Sequence, residues 1–220
     1  MLSSMYGESD PRPQSAGSAG RLRRMTVVLG LAAAFGVASA MIKGNGGGLR
    51  DAIGNISAVW LLLPFLAGAA AGTRRLATAA LAGLVATLVA LCGFYFAESF
   101  VLDLGPHPWL TDLALTMSTV QHYAEFALLS GPVFGALGFG WRQRYSLAAA
   151  GLLAAAFVLE PAAWWLYGRE VGGGAAYPVP GYPALWLGEI AVGIAGFALL
   201  VRIARRQAGR ATPAGLAGPA

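Results

Sequence analysis

Apolar residues in this chain fall into long unbroken runs separated by short polar or glycine-rich stretches. A helix needs about 20 such residues to cross a hydrocarbon layer about 30 Å thick. Six runs of roughly that length occur, at residues 25–42, 53–72, 76–97, 118–140, 146–168 and 182–203. They leave no stretch long enough for a soluble catalytic domain. The pattern predicts an all-α, polytopic integral membrane protein: a bundle of about six transmembrane helices over residues 25–203. Residues 1–24 and 204–220, rich in Gly, Ala, Pro and Ser, read as disordered cytoplasmic tails.

Composition agrees with that reading. The chain is 57% hydrophobic and only 11% charged, with a mean hydropathy of +0.62, whereas soluble domains carry about a quarter charged residues. A net charge of +5 and a pI near 9.8 would point to nucleic acid in a soluble protein. Here the basic residues punctuate the apolar runs, so they report topology and nucleic acid is excluded as a partner. Arg12, Arg21, Arg23 and Arg24 precede the first run, and Arg74 and Arg75 join the second to the third. Arg142 and Arg144 join the fourth to the fifth, and Arg202, Arg205, Arg206 and Arg210 stand at or after the end of the last. Of the 15 Lys and Arg, only Lys43, Arg50 and Arg169 fall on the other side. The positive-inside rule then places both termini in the cytoplasm. Arg21–Arg24, a short apolar run and Ala38-Ser39-Ala40 also fit a cleaved signal peptide. The run is long enough to span, and the spanning reading is preferred. The single cysteine, Cys92, excludes an intrachain disulfide.

Small residues recur four apart at Ala32, Gly36 and Ala40, at Gly68 and Gly72, and at Gly131 and Gly135. This spacing lets helix backbones approach in lipid, either within the bundle, which is the preferred reading, or across a dimer face. Sliding the second and third runs onto the fourth and fifth superposes Pro64 on Pro132, Gly72 on Gly140 and Arg74 on Arg142, a pattern consistent with duplication. Residues 43–48, Lys-Gly-Asn-Gly-Gly-Gly, fit a flexible turn and not a phosphate loop. Residues 177–183, with five aromatic or proline positions at Tyr177, Pro178, Pro180, Tyr182 and Pro183, fit a stiff cap at the membrane interface.

The acids inside the runs carry the chemical interest, because a charge at mid-bilayer is costly and is kept for a use. Counted from the outer end of each run at 1.5 Å per residue, Glu125, Glu160 and Glu189 share one depth, roughly 10–12 Å. Glu98 and Asn55 lie a little nearer the outer rim. Helical spacing puts Trp164 and Tyr167 above Glu160, Trp186 and Tyr182 above Glu189, Phe94 and Tyr95 beside Glu98, and His122 one turn above Glu125. Apart from Arg202 at the far end of the last run, no Lys or Arg lies within any run, so the acids are expected to lack a cationic partner other than His122. They then hold protons or bind a cation from outside. An acidic and aromatic lining suits an organic cation, through charge pairing and cation–π contact. Glu160 also precedes Pro161, which frees the Phe157 carbonyl, so a protonated Glu160 serving that kink is the structural alternative.

His122 and Glu125 have helical spacing for a metal, but a zinc site wants three or four protein ligands. Neither HExxH nor G-x-S-x-G occurs, and no cofactor, metal or catalytic motif is assigned. Candidate ligand-binding residues are therefore Glu125, Glu160, Glu189, His122, Trp164, Trp186, Glu98 and Asn55. Three functions stay open. One is an outward-facing site for a small cationic or proton-coupled solute. Another is a membrane enzyme on lipid-linked material, with Glu125 and His122 as acid and base. The third is a structural or regulatory subunit. Expected partners are membrane lipid, that solute or a proton, and a partner subunit or second copy.

Residues 55–60 (Asn-Ile-Ser-Ala-Val-Trp), Ala67-Gly68-Ala69, residues 131–138 (Gly-Pro-Val-Phe-Gly-Ala-Leu-Gly) and Glu160 in the next run resemble a family of small multi-pass membrane proteins from actinobacteria, of unknown function. The resemblance covers about half the chain and implies a bacterial plasma membrane; it transfers no activity. In architecture the chain is also similar to the substrate-binding subunits of energy-coupling vitamin transporters, whose alanine docking motif Ala34 and Ala38 resemble. That likeness is one of fold and does not establish function.

Overall fold

A computed structural model describes residues 15–43, 48–54, 56–100, 109–170 and 182–211. The described residues form six long helices and one short one: α1 (Ser15–Lys43), α2 (Gly48–Gly54), α3 (Ser57–Ala70), α4 (Leu76–Phe100), α5 (Trp109–Arg144), α6 (Leu147–Glu170) and α7 (Pro183–Ala211). The chain is all-α as expected. Among the described residues, four stretches are long and apolar enough to cross a membrane: Leu22–Lys43, Gly48–Ala70, Leu76–Glu98 and Pro183–Gly209. Leu147–Ala163 is a shorter apolar helix.

Two boundaries differ from the sequence reading for a simple reason. α1 begins at Ser15 and α7 runs on to Ala211, so parts of the expected tails are helical. Ala, Arg, Leu and Gln are good helix formers, and exposed side chains such as Arg23, Arg24, Arg205 and Arg206 let a helix continue beyond its apolar section.

The third difference bears on function. The expected continuous second span is broken. α2 stops at Gly54, Ile56 is extended (φ −65°, ψ 107°), and α3 starts at Ser57. Glycine is a poor helix residue, which favours a stop there. α3 has 14 residues and is therefore about 21 Å long, short of the roughly 30 Å hydrocarbon layer. Its C-terminal end leads through Gly72, in the left-handed region (φ +60°), to Arg74 and Arg75. The candidate span Gly48–Ala70 therefore takes in α2 as well as α3.

α4 is the central helix, packed on α1, α3 and α5, while α3 also packs on α5. Glycine and alanine set these distances. Gly36 of α1 sits against the Ala90 carbonyl of α4, and Gly93 of α4 sits against Ala33. Gly68 of α3 faces Gly135 of α5, Gly138 faces the Phe65 carbonyl, and Gly83 of α4 meets Gly131 and Gly135. Of the small residues singled out in the sequence, Ala32, Gly36, Ala40, Gly68, Gly131 and Gly135 are buried, so this spacing serves contacts inside the bundle. Backbones this close gain dispersion contacts that longer side chains would prevent. Towards the break, Phe35, Trp60, Phe94, Tyr95 and Tyr123 form a chain of ring contacts with centroids 5.1–6.4 Å apart. They tie α1, α3, α4 and α5 together.

α6 and α7 form an antiparallel hairpin. A core of Ala58, Phe65, Trp141, Ala149, Ala150, Leu153 and Phe157 joins α6 to α3 and α5, with Leu200 and Ile203 of α7 packed against it. The far side of α7 presents Leu187, Val192, Ile194 and Leu199, all exposed, as expected of a helix face turned to lipid.

The glycine seam gives a direct prediction. A Cβ at Gly138 would collide with the Phe65 carbonyl and lie 2.9 Å from the Ala69 nitrogen, whereas one at Gly140 meets nothing within 4 Å. Gly138→Ala should destabilise the purified protein by about 1–3 kcal/mol. Gly140→Ala should be neutral within about 0.5 kcal/mol. Denaturant titration of both variants in detergent checks the difference.

Candidate functional site

The first turn of any helix leaves backbone N–H groups without intrahelical acceptors. In water they bond solvent; inside a membrane each must find a protein partner. At the start of α3 the local cap position is Ile56, which has no polar side chain and makes no capping bond. The acceptor comes instead from α6. The Ser57 N–H donates to Glu160 Oε1 at 2.6 Å, and the Ala58 N–H donates to Glu160 Oε2. One carboxylate thus closes the broken end of α3 with both oxygens. An anionic group also complements the positive end of the α3 dipole.

The other end of α3 mirrors this arrangement. Arg142 of α5 donates from Nη1 to the Ala69 carbonyl at 2.8 Å, and the Gln143 amide donates to the Thr73 carbonyl at 3.1 Å. α3 is held between an acid at its N-terminus and a base at its C-terminus, both supplied by other helices.

α7 brings a second acid to the first. Phe157 of α6 packs onto Gly193 of α7, where an added Cβ would lie 2.7 Å from Phe157 Cβ. The helices are antiparallel, so Glu160, three residues after Phe157, and Glu189, four before Gly193, stand one turn from that contact on the same side. Their carboxyl groups come within hydrogen-bonding and charge-interaction range. Glu189 is only 7% exposed, and its Oε1 is buried with no hydrogen-bond partner. A hydrogen bond between two carboxyl groups requires a proton on one of them.

The remaining candidates are placed as follows. Trp186 is half-buried one turn from Glu189 on α7, and Tyr182, before that helix, is half-buried with its hydroxyl beside Gly48 of α2. Glu125 is exposed on α5. The inward face of α5 runs through Ala127, Gly131 and Gly135. Glu125, two residues before Ala127, is turned about 200° away, beside Phe126, which is 71% exposed. Asn55 lies outside the described residues, as do His107, most of the 43–48 turn and residues 177–181 of the expected cap. His122 and Trp164 lie on α5 and α6, and their side chains fall outside the description.

The expectation that the acids lack a cationic partner is corrected for Glu98. Lys43 Nζ lies 3.2 Å from Glu98 Oε1 and 5.4 Å from the centroid of the Phe94 ring. The sequence reading counted charges inside the apolar runs, and Lys43 stands just past the first. α1 carries it to the C-terminal end of α4, where its aliphatic stem reaches the acid. Arg50 of α2 donates to the Met41 and Ile42 carbonyls and so closes the end of α1.

Sequence reasoning missed the Ser57 and Ala58 amides and Gly193. The available signal was Gly54-Asn55 inside an apolar run, a place where a span can break, facing an acid of similar depth.

The capping bonds predict the response of residue 160. Glu160→Ala strands two N–H groups and should cost about 1–3 kcal/mol; Glu160→Gln retains one acceptor oxygen and should cost less. Hydrogen exchange at residues 57 and 58 should accelerate in Glu160→Ala while the amides in the middle of α4 stay protected, which mass spectrometry of the protein in nanodiscs would read.

No curated protein and no solved structure matches the chain. A family model described as a family of unknown function (DUF6518) matches residues 15–220, and because that match takes in nearly the whole sequence, the chain belongs to this family.

Proposed function

We propose that this is a six-span protein of the bacterial plasma membrane, with both termini cytoplasmic, that binds or transports a small cationic or proton-coupled solute at Glu160 and Glu189. The observation that carries the reading is the buried Glu189 carboxyl, with an oxygen that has no hydrogen-bond partner, beside a second carboxyl. Two carboxyl groups in contact at low dielectric need a positive charge or a shared proton between them. A solute cation that takes the place of that proton completes the charge balance. Broken spans with a helix end at mid-membrane are a recurring way to build such sites in transporters, and the α2–α3 break lies at this level. Trp186 supplies an aromatic face one turn away, suited to an organic cation.

A second reading has a specific observation behind it. The two bonds from Glu160 to α3 are what a purely structural acid would make, and a structural or regulatory subunit needs nothing more from that residue.

Thermal unfolding of the purified protein against a panel of organic and inorganic cations, at pH 5 and pH 8, separates the two. Proton and cation compete for the same oxygens. The solute reading therefore expects a midpoint shift of several degrees for some cations, larger at pH 8 than at pH 5, and lost in Glu189→Gln. Indifference of the wild type to every cation at both pH values supports the structural reading.

A further inference from the structure

The end of α7 remote from the carboxyl pair carries a different surface. Phe197, Ala198, Val201, Arg202, Arg205 and Arg206 line an open groove of about 600 Å³. Spacings of three and four residues put them on adjoining strips of one helix face, with the apolar members towards the middle of the helix and the arginines towards its end. Arg202 lies about 28 Å along the axis from Pro183, close to the thickness of the hydrocarbon layer. The apolar part of the groove is thus at acyl-chain depth and the guanidinium groups are at headgroup depth. None of the three arginines is in an ion pair among the described residues, where Lys43 and Glu98 form the one such pair. The groove itself has no acidic lining residue.

We infer that this groove is a binding site for one anionic phospholipid, its phosphate held by Arg202, Arg205 and Arg206 and an acyl chain laid along Phe197, Ala198 and Val201. Guanidinium groups match phosphate oxygens in pairs, and basic grooves on membrane helices recognise anionic headgroups. The charge requires an anion, and the apolar half requires a chain attached to it, which free phosphate lacks. A lipid seated here would also cover a helix that buries little of its own span against the bundle. The inference does not depend on Glu160 or Glu189.

The test uses the full chain in a neutral detergent. Dioleoylphosphatidylglycerol, dioleoylphosphatidylcholine and inorganic phosphate are titrated separately, with thermal midpoint and native mass spectrometry as readouts. Phosphatidylglycerol should raise the midpoint by several degrees and leave one lipid bound per chain; phosphatidylcholine and phosphate should do neither. Affinity should fall about fivefold for each arginine removed, and be lost in R202Q/R205Q/R206Q. R24Q/R74Q/R75Q, which removes the same charge from exposed positions elsewhere, should bind as wild type. R205Q alone reads the same sign should the triple variant not purify. Equal binding of phosphatidylcholine, an equal shift with phosphate, or an equal loss in R24Q/R74Q/R75Q would overturn the site.

Discussion

A helix that starts inside a membrane must have something to accept its first N–H groups, and for α3 that something is Glu160. The constraint follows from length. α3 is too short to cross alone, and a helix end set inside the hydrocarbon layer has no water at hand to bond it. Two oxygens on one carboxylate meet the need at Ser57 and Ala58. The cost of keeping an acid at this depth is offset by amide bonds and by the positive end of a helix dipole. Arg142 at the Ala69 carbonyl and Arg50 at the Met41 and Ile42 carbonyls follow the same logic with the opposite sign. In a chain with so few charges, several are used at helix ends.

The bundle around α3 is built to hold those ends in register. Glycine-to-carbonyl contacts between α3 and α5 fix the height at which Arg142 meets Ala69. The Phe157–Gly193 contact fixes α7 against α6, so the height of Glu189 is set by Glu160. Small residues are what make such placement sharp, because backbones in direct contact have no long side chain to adjust.

Much of this was legible in the sequence, and the illegible part has a common cause. Apolar run length gave the long helices, because the thickness of a membrane is a one-dimensional constraint that a linear count can meet. Depth counting singled out Glu160 and Glu189 for the same reason. Rotation about the helix axis was not fixed: Glu125 is exposed, whereas the buried face of α5 runs through Ala127, Gly131 and Gly135. The break before Ser57 was hidden by hydropathy, which treats Ile56 and its neighbours as one run whatever their backbone does. Lys43 escaped because a charge one residue beyond an apolar run was counted as outside it, although a lysine stem readily reaches back.

The cap explains Glu160 and leaves Glu189 unexplained. A single carboxylate satisfies both amides at α3, and a second acid beside it adds repulsion without adding a backbone bond. Glu189 is more deeply buried than its position near the start of α7 requires, and one of its oxygens has no hydrogen-bond partner. Were the pair only structural, an apolar side chain at position 189 would pack against Glu160 and Phe157 at lower cost. On the proposed solute-binding reading, the surplus acid is the residue that the cap at α3 does not account for. In that reading a proton or cation supplies the missing charge beside the capped end of α3.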